Sequence, residues 1–485
     1  MTTAGQFKAP VKLDYAHGKQ LAQQIFHDTM AAIDVRHAMH AKLKFEGNAL
    51  VAGDLAHPLA RPPRVVAFGK AANRMATVLN EILGGRIEAG VSVAPAETQQ
   101  KLAHFQYFVG GHPYPDHGSL EGARAALEIV SHLTREDTVI FLVSGGGSAI
   151  LAQPMDSSIT LADLKEFNRA LVTSHLPIEQ INVLRKHLSA VKGGRLAERA
   201  YPARQLTIYI SDVPEGLPSM VASGPTMPDE STTEQAYELA EINKLVQHFP
   251  ASIRGFFERR ELPETPKPGD PRFAYSHYYS LLSNRDAVDA ALASARKLGF
   301  AAEIDRGTWD GDYRQVVHSN VAALDSLSQA HKGQPVCLVV GGEVTCPVTG
   351  PGMGGRNQAF ALYAARQIAG YNRVALSAGT DGRDGNSPTS GALADGQTVS
   401  RSLFGSGIEI GHQTISFLNK FATNSLLLRT IDPWLVIACT FCGVVAIKWL
   451  KGRKFQPLSQ QFRRRRTGKA ADIRAGEGKT TEAEV

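Results

Sequence analysis

The chain has 485 residues, with 52 Lys+Arg against 46 Asp+Glu and 43% hydrophobic side chains. That length suits two domains, and that apolar content excludes a disordered chain. The formal charge of +6 does not mark a nucleic-acid binder: from Lys448 onward 11 basic and 4 acidic residues give +7, leaving −1 on residues 1–447.

The four cysteines, Cys337, Cys346, Cys439 and Cys442, are too few and too clustered for a disulfide framework. They point to a reducing, cytoplasmic compartment, and Met1 to Lys12 lacks the apolar core of a signal peptide. Cys439 and Cys442 form a C-x-x-C with no partner ligands at zinc spacing, so they read as small buried apolar residues.

In chain order, residues 15–60 read as helix and connecting loop. Val65 to Phe68 is a strand leading through Gly69-Lys70 into a helix at Ala71 to Leu83. A second unit runs from Phe105 through Gly110 to Asp116, then a helix near Leu120 to Leu133. Val139 to Val143 is a strand that empties into Ser144-Gly145-Gly146-Gly147-Ser148. Leu161 to Arg199 is helical, interrupted near Pro177 and at Gly193-Gly194. Leu206 to Ile210 is a strand ending at Ser211-Asp212. Pro263, Pro266, Pro268 and Pro271 then exclude a helix or inner strand, which places a linker at 263–275 after a first domain at 1–262.

A second domain, 276–425, opens with a strand at Tyr278 to Leu282 and a helix at Ala287 to Leu298. A strand at Ala301 to Ile304 follows. Strands at Val336 to Val340 and Val374 to Leu376 come next, emptying into Gly341-Gly342-Glu343 and Gly379-Thr380-Asp381-Gly382. Short apolar runs bounded by turn residues are buried parallel strands, and their alternation with helices makes both domains α/β. The expected fold is a Rossmann-like parallel sheet with helices on both faces, followed by a second α/β domain. In 426–454, Trp434 to Ile447 runs 14 residues without a charge. A spanning helix needs ~20 apolar residues. The run therefore reads either as a membrane-associated helix with aromatic and basic flanks or as a buried helix. Residues 455–485 read as a basic disordered tail.

Loops at the C-terminal ends of parallel strands hold ligands in α/β folds, and small residues there bare backbone N–H groups that bind phosphate. Ser144 to Ser148 is such a loop, with a plain tight turn as the alternative. Lys70, at a strand-to-helix junction, can reach phosphoryl oxygens. Asp212, at a strand end, can hold Mg²⁺, take a proton from a hydroxyl, or close an Asx-turn. Gly350 to Gly355 with Arg356 precedes an apolar helix, an anion site with a guanidinium clamp. It also matches G-x-G-x-x-G, but lies beyond Val344 to Thr349 rather than straight off the strand, as a dinucleotide fingerprint should. Asp381, Asp384 and Asp395 surround a Gly- and Ser-rich loop; one is a candidate Mg²⁺ ligand, and solvated turns are the alternative. No Walker A sequence and no protein-kinase signature set occur.

Together these motifs resemble the type II glycerate 2-kinases, which pair an N-terminal glycerate-kinase domain with a C-terminal MOFRL domain. The matching pieces are Gly69-Lys70-Ala71-Ala72, Gly111-His112-Pro113 with Pro115-Asp116, and Ser144 to Ala149. Arg185 to Ser189 with Lys192 to Leu196, Ser211 to Pro214, and Ser223 to Thr226 continue the match. The MOFRL half matches at Gly341 to Glu343, Gly354 to Gln358 and Gly379 to Gly382. The resemblance implies ATP- and Mg²⁺-dependent phosphorylation of D-glycerate at its 2-hydroxyl, in a cleft between the domains. It implies Lys70 and Arg356 as cations for the phosphoryl group and the glycerate carboxylate. Asp212 would be the metal ligand or would orient the hydroxyl. ATP contacts are expected from Ser144, Gly145, Gly146, Gly147, Ser148, Lys192, Gly193, Gly354, Gly355 and Asp381.

The chain departs from the family pattern at Ala359, where a Glu is usual, and at Glu215-Gly216. It also departs after Phe417 to Ser425, where the family's closing strand is missing. That last departure leaves open an inactive variant with an unpaired sheet edge. An NAD(P)H-dependent hydroxypyruvate reductase is the other alternative. No nucleic-acid partner is expected.

Overall fold

The computed structural model describes residues 15–404, except 175, 214–215, 306–309, 348–349 and 351, together with the backbone of Cys442–Lys448. The chain begins with two helices, α1 (Tyr15–Ala32) and α2 (Val35–Lys42). Three short strands follow, β1 (Leu43–Glu46), β2 (Ala49–Ala52) and β3 (Leu55–Pro58), as an antiparallel sheet where the sequence suggested a loop.

The first large sheet is built from β4 (Arg64–Phe68), β5 (Ala89–Ala94), β6 (Phe105–Val109), β7 (Thr138–Val143), β8 (Arg204–Ile210) and β9 (Ser276–Leu282). It is six-stranded, in the order β6-β5-β4-β7-β8-β9, and every pairing is parallel. Side chains alternate between its faces. Val65 and Ala67 of β4 enter one hydrophobic cluster, Val66 and Phe68 the opposite one, and all four are fully buried. Two covered faces explain why these strands read as unbroken apolar runs. Helices α3 (Ala72–Ile82) and α4 (His117–Ile129) follow β4 and β6, and the one-turn α5 (Gly147–Ile150) follows β7. The expected long helical stretch is α6 (Leu161–Thr173), α7 (Ile178–His187) and α8 (Arg195–Ala200), broken at the expected places. With α9 (Thr233–Ile242) and α10 (Ala251–Glu258), α6 and α7 close a separate cluster around Phe167, Phe249 and Phe257.

Two expectations are corrected here. The strand at 276–282 does not open the second sheet; it adds to the edge of the first by pairing with β8. The Pro-rich stretch 263–275 therefore does not part the two sheets, and the chain crosses after Leu282 into α11 (Asn284–Lys297).

The second sheet uses β10 (Ala301–Asp305), β12 (Val336–Val340), β14 (Arg373–Gly379), β15 (Gly391–Asp395) and β16 (Cys442–Lys448), in the order β10-β12-β16-β14-β15. A two-stranded ribbon, β11 (Asp310–Asp312) with β13 (Glu343–Thr345), stands apart from it. Helix α12 (Tyr313–Ala330) packs with α13 (Arg356–Gln367) on one face, against Val336, Leu338 and Val340; α14 (Thr398–Phe404) follows β15. Helices α1 and α11 cover the other face, and their cluster runs without a break into the first sheet through Val65, Ile140, Leu206 and Leu281.

The second correction concerns the C-terminal apolar run. Its residues 442–448 are not helical: they are β16, antiparallel to both β12 and β14 in the middle of the sheet. Val444, Val445 and Ile447 are β-branched, which favours a strand. The middle of the second sheet is thus filled from within the stretch that looked unrelated. The remaining expectations for this end fall outside the described residues: the Cys439 half of the C-x-x-C, the rest of 434–441, and the basic tail. Among the described residues no helix is long and apolar enough to cross a membrane.

Candidate active site

Strand order reverses between β4 and β7: the chain leaves β4 toward β5 on one side and β7 toward β8 on the other. Loops above such a switch point diverge and leave a crevice, where ligands of doubly wound sheets bind. Lys70 follows β4, the loop at 144–148 follows β7, and Asp212 follows β8.

The second sheet supplies the facing wall. Lys70 Nζ donates to Asp381 Oδ2 at 2.8 Å, and the two side chains are only 13% and 10% exposed. Asp381 lies in the turn after β14, so this ion pair joins the two sheets directly across the cleft. Arg356, at the start of α13, pairs with Glu343, the first residue of β13. Enclosure pushes the Glu343 carboxyl above its ordinary range. Arg356 opposes the shift, the Asp212 carboxylate adds to it, and Lys70 opposes it again. Lys70, Asp212, Glu343 and Arg356 therefore share one electrostatic neighbourhood, although they come from four separate segments of the chain. His112 stands at the rim, exposed on its outer side. Its pKa is lowered by the surrounding cleft wall and next by the Lys70 ammonium.

The floor is backbone. Lys70 N–H donates to Gly145 O at 2.9 Å, tying the two switch-point loops together. Gly146 has φ +80°, and a Cβ there would come within 2.9 Å of the His112 ring. The N–H groups of Gly145 and Gly146 have no hydrogen-bond partner among the described residues. Bare N–H groups beside a lysine are what an incoming phosphate needs.

This arrangement has known relatives. Residues 21–258 match a family described as a domain of unknown function, DUF4147, and residues 336–426 match the MOFRL family. A D-glycerate 2-kinase of Thermotoga maritima is 36% identical over 339 residues, covering 69% of this chain and 79% of that one. The chain belongs to the glycerate 2-kinase family. A crystal structure of a Thermotoga maritima glycerate kinase superposes with a TM-score of 0.69 at 30% identity, over 89% of this chain and 99% of that one. A relative from Agrobacterium vitis bears a provisional hydroxypyruvate reductase name; it is 36% identical over 352 residues, 71% of this chain and 89% of that one.

Several residues expected at the site of this glycerate 2-kinase family member are occupied elsewhere. Ser144 is fully buried; its N–H donates to Phe68 O, and its Oγ accepts from Ala71 N–H at 3.0 Å. The hydroxyl anchors the start of α3 and is not offered to a ligand. Ser148 Oγ shares a 2.7 Å hydrogen bond with Ser223 Oγ, which donates on to Asn182 Oδ1. Gly193 sits in a buried turn: its N–H donates to Ser223 O, and a Cβ would meet Thr265 and Lys186. The Lys186–Asp229 pair beside it is buried and 2.9 Å apart. These contacts make Gly193 a packing residue, not a phosphate ligand.

Gly354 and Gly355 also miss the anion role. Gly354 N–H donates to Asn386 Oδ1. Asp384 fills the N-terminus of α13: its Oδ1 accepts from Asn357 N–H at 3.0 Å and its Oδ2 from Gln358 N–H at 2.8 Å. Gly355 lacks a side chain because Asp384 stands there, 2.3 Å from where a Cβ would go. The chain's own carboxylate thus takes the place a phosphate would use. Of the three expected aspartates only Asp381 faces the cleft. Asp395 binds Lys19 of α1 and Arg401.

Lys192 is buried in a side pocket behind the 144–148 loop, lined also by Ser148, Gln153, Asn168, Arg185 and Ser189. Glu343 and Arg185 carry no role assignable from sequence pattern alone. The signal for Glu343 was an acid straight after a Gly-Gly turn at a strand end. The signal for Arg185 was a basic run in a stretch that must be mostly buried.

Proposed function

We propose that this protein transfers the γ-phosphoryl group of ATP to the 2-hydroxyl of D-glycerate, giving 2-phosphoglycerate and ADP. The observation that carries the reading is the Lys70–Asp381 pair across the cleft, beside a glycine loop with unpartnered N–H groups at the switch point. In the transfer, the oxygen of the 2-hydroxyl bonds to the γ-phosphorus, the bond from phosphorus to the ADP oxygen breaks, and the hydroxyl proton is released to solvent. Lys70 and Arg356 offset charge on the phosphoryl oxygens, and Lys70, which is mostly buried, is worth more there than a cation at a surface. Asp212 accepts a hydrogen bond from the 2-hydroxyl and aims its lone pair along the line of transfer. Closing of the two sheets around the substrates would exclude water.

Mg²⁺ fits this donor set. Among the described residues no group of three or more His, Cys, Asp or Glu forms a cage. Phosphoryl-transfer Mg²⁺ is usually held by only one or two carboxylates plus the phosphates themselves. Asp212 and Glu343 are two such carboxylates, and their mutual repulsion is the kind a divalent cation relieves. When bound between them, the metal would neutralise charge on the phosphates.

The reductase reading is disfavoured by a specific observation. The helix N-terminus behind G-x-G-x-x-G is capped by Asp384, which leaves no place for a dinucleotide pyrophosphate. The test is ADP release from ATP, D-glycerate and Mg²⁺, run beside NADH oxidation with hydroxypyruvate. ADP release alone is expected; NADH oxidation without ADP release would overturn the assignment.

A further inference from the structure

Lys70 and Arg356 already have carboxylate partners. The pocket behind the 144–148 loop holds two cations that do not. Lys192 is 5% exposed, and among the described residues its Nζ donates only to Leu151 O at 3.1 Å. Arg185 uses its Nε on Asn168 Oδ1 at 3.0 Å. Among the described residues no Asp or Glu lines the pocket. The charged or titratable group felt by Lys192 is Arg185, and that felt by Arg185 is the phenol of Tyr114. A buried lysine beside a half-buried arginine, with no acid among the described neighbours, is costly unless a ligand brings the counter-charge.

The ligand's shape can be read further. Gln153 lines the same pocket, and its Oε1 is buried with no partner. An orphan acceptor calls for a donor such as a hydroxyl. Ser148 connects the pocket to the glycine loop that borders the cleft. A carboxylate joined to a short hydroxylated chain satisfies both requirements; a fully ionised phosphate has no hydrogen to give.

We infer that the Lys192–Arg185 pocket, a cavity of about 20 Å³ with room for one water-sized group, takes an oxygen of the hydroxy-acid substrate's carboxylate, with Gln153 accepting from a substrate hydroxyl. This rests on the glycerate reading above. It moves Lys192 from nucleotide binding to acid recognition and makes the pocket the element that selects an acid over the matching polyol. Burial and the neighbouring guanidinium lower the Lys192 pKa to about 7. A bound carboxylate would draw the proton back on.

The experiment uses the full chain and its K192M, K192R and R185M variants, with initial rates against D-glycerate and against ATP. For K192M and R185M the KM for D-glycerate should rise about 10- to 100-fold, the scale of losing a charge-assisted contact in a buried site, with the KM for ATP unchanged. K192R keeps the cation in a bulkier head group and should raise the KM for D-glycerate less than K192M does. Independently of turnover, 20 mM-scale D-glycerate should raise the melting temperature of wild type, glycerol should not, and K192M should lose the difference. A raised KM for ATP with an unchanged KM for D-glycerate would make this a phosphate pocket and overturn the inference. Unchanged kinetics in both would overturn it too. Absence of ADP release from wild type with D-glycerate would instead remove the glycerate reading on which it stands.

Discussion

Replacing Lys70 by Met separates the two tasks that the Lys70–Asp381 pair performs. The pair is 2.8 Å long and about nine-tenths buried on each side. Removing one partner strands the other: among the described residues Asp381 would keep only the Arg383 N–H on its Oδ1, at 3.1 Å. Breaking a buried pair in this way costs about 3–5 kcal/mol when burial is complete, and about 2–3 kcal/mol is expected for a pair open at the cleft. Loss of a preorganised group that stabilises the transition state lowers kcat about 100- to 1,000-fold. A double-mutant cycle with D381N distinguishes the effects. Asn cannot carry the stranded charge, so K70M/D381N should regain most of the melting temperature lost by K70M. It should not regain turnover, because the cation is still missing. Urea unfolding and steady-state ADP release supply the two readouts. If the double variant recovers activity along with stability, Lys70 is a strut between the sheets and the phosphoryl role is wrong.

Two further substitutions test the surroundings. G355A puts a Cβ 2.3 Å from Asp384 Oδ1 and 2.4 Å from the Asp384 backbone carbon. Asp384 must then leave the N–H groups of Asn357 and Gln358, costing about 1–3 kcal/mol in urea unfolding and shifting Arg356 at the head of the same helix; an unchanged midpoint would refute the capping role. His57 is 1% exposed, and burial, then His277 and Arg204, lower its pKa to about 4 from an ordinary 6.5. The folded protein therefore binds fewer protons than the unfolded chain between those values. Stability from this group is intact above pH 6.5 and is lost as pH falls toward 4, to a total of about 3 kcal/mol. H57Q should flatten that part of the acid limb relative to wild type in denaturant titrations, and parallel limbs would contradict the assignment.

The strands that build the crevice were legible because each is buried on both faces and ends in a small-residue turn; β4, β7, β8, β12 and β14 all fit that description. The same logic failed for β9, since its sequence shows that it is a strand but not which sheet it joins. The strands in 43–58 are four residues each and carry too little periodicity to register. At the site, Lys70 and Asp212 could be read from their place at strand ends. Ser144 could not, because a hydroxyl on a loop may face either way, and the deciding partner is the Ala71 N–H, 73 residues distant. The glycines before Arg356 looked like an anion cradle for the same reason: the anion is Asp384, supplied 27 residues later by the chain itself. β16 was hidden by its neighbours, since seven strand residues were embedded in a longer apolar run.

The central claim is that this cleft phosphorylates the 2-hydroxyl of D-glycerate. Phosphorus-31 NMR of the reaction with ATP, Mg²⁺ and D-glycerate, followed by addition of enolase, tests it directly. The account predicts a new phosphate monoester signal coupled to the single proton on C2, and its consumption by enolase without any mutase. A signal coupled to the two protons on C3, or none at all from folded protein, would contradict it.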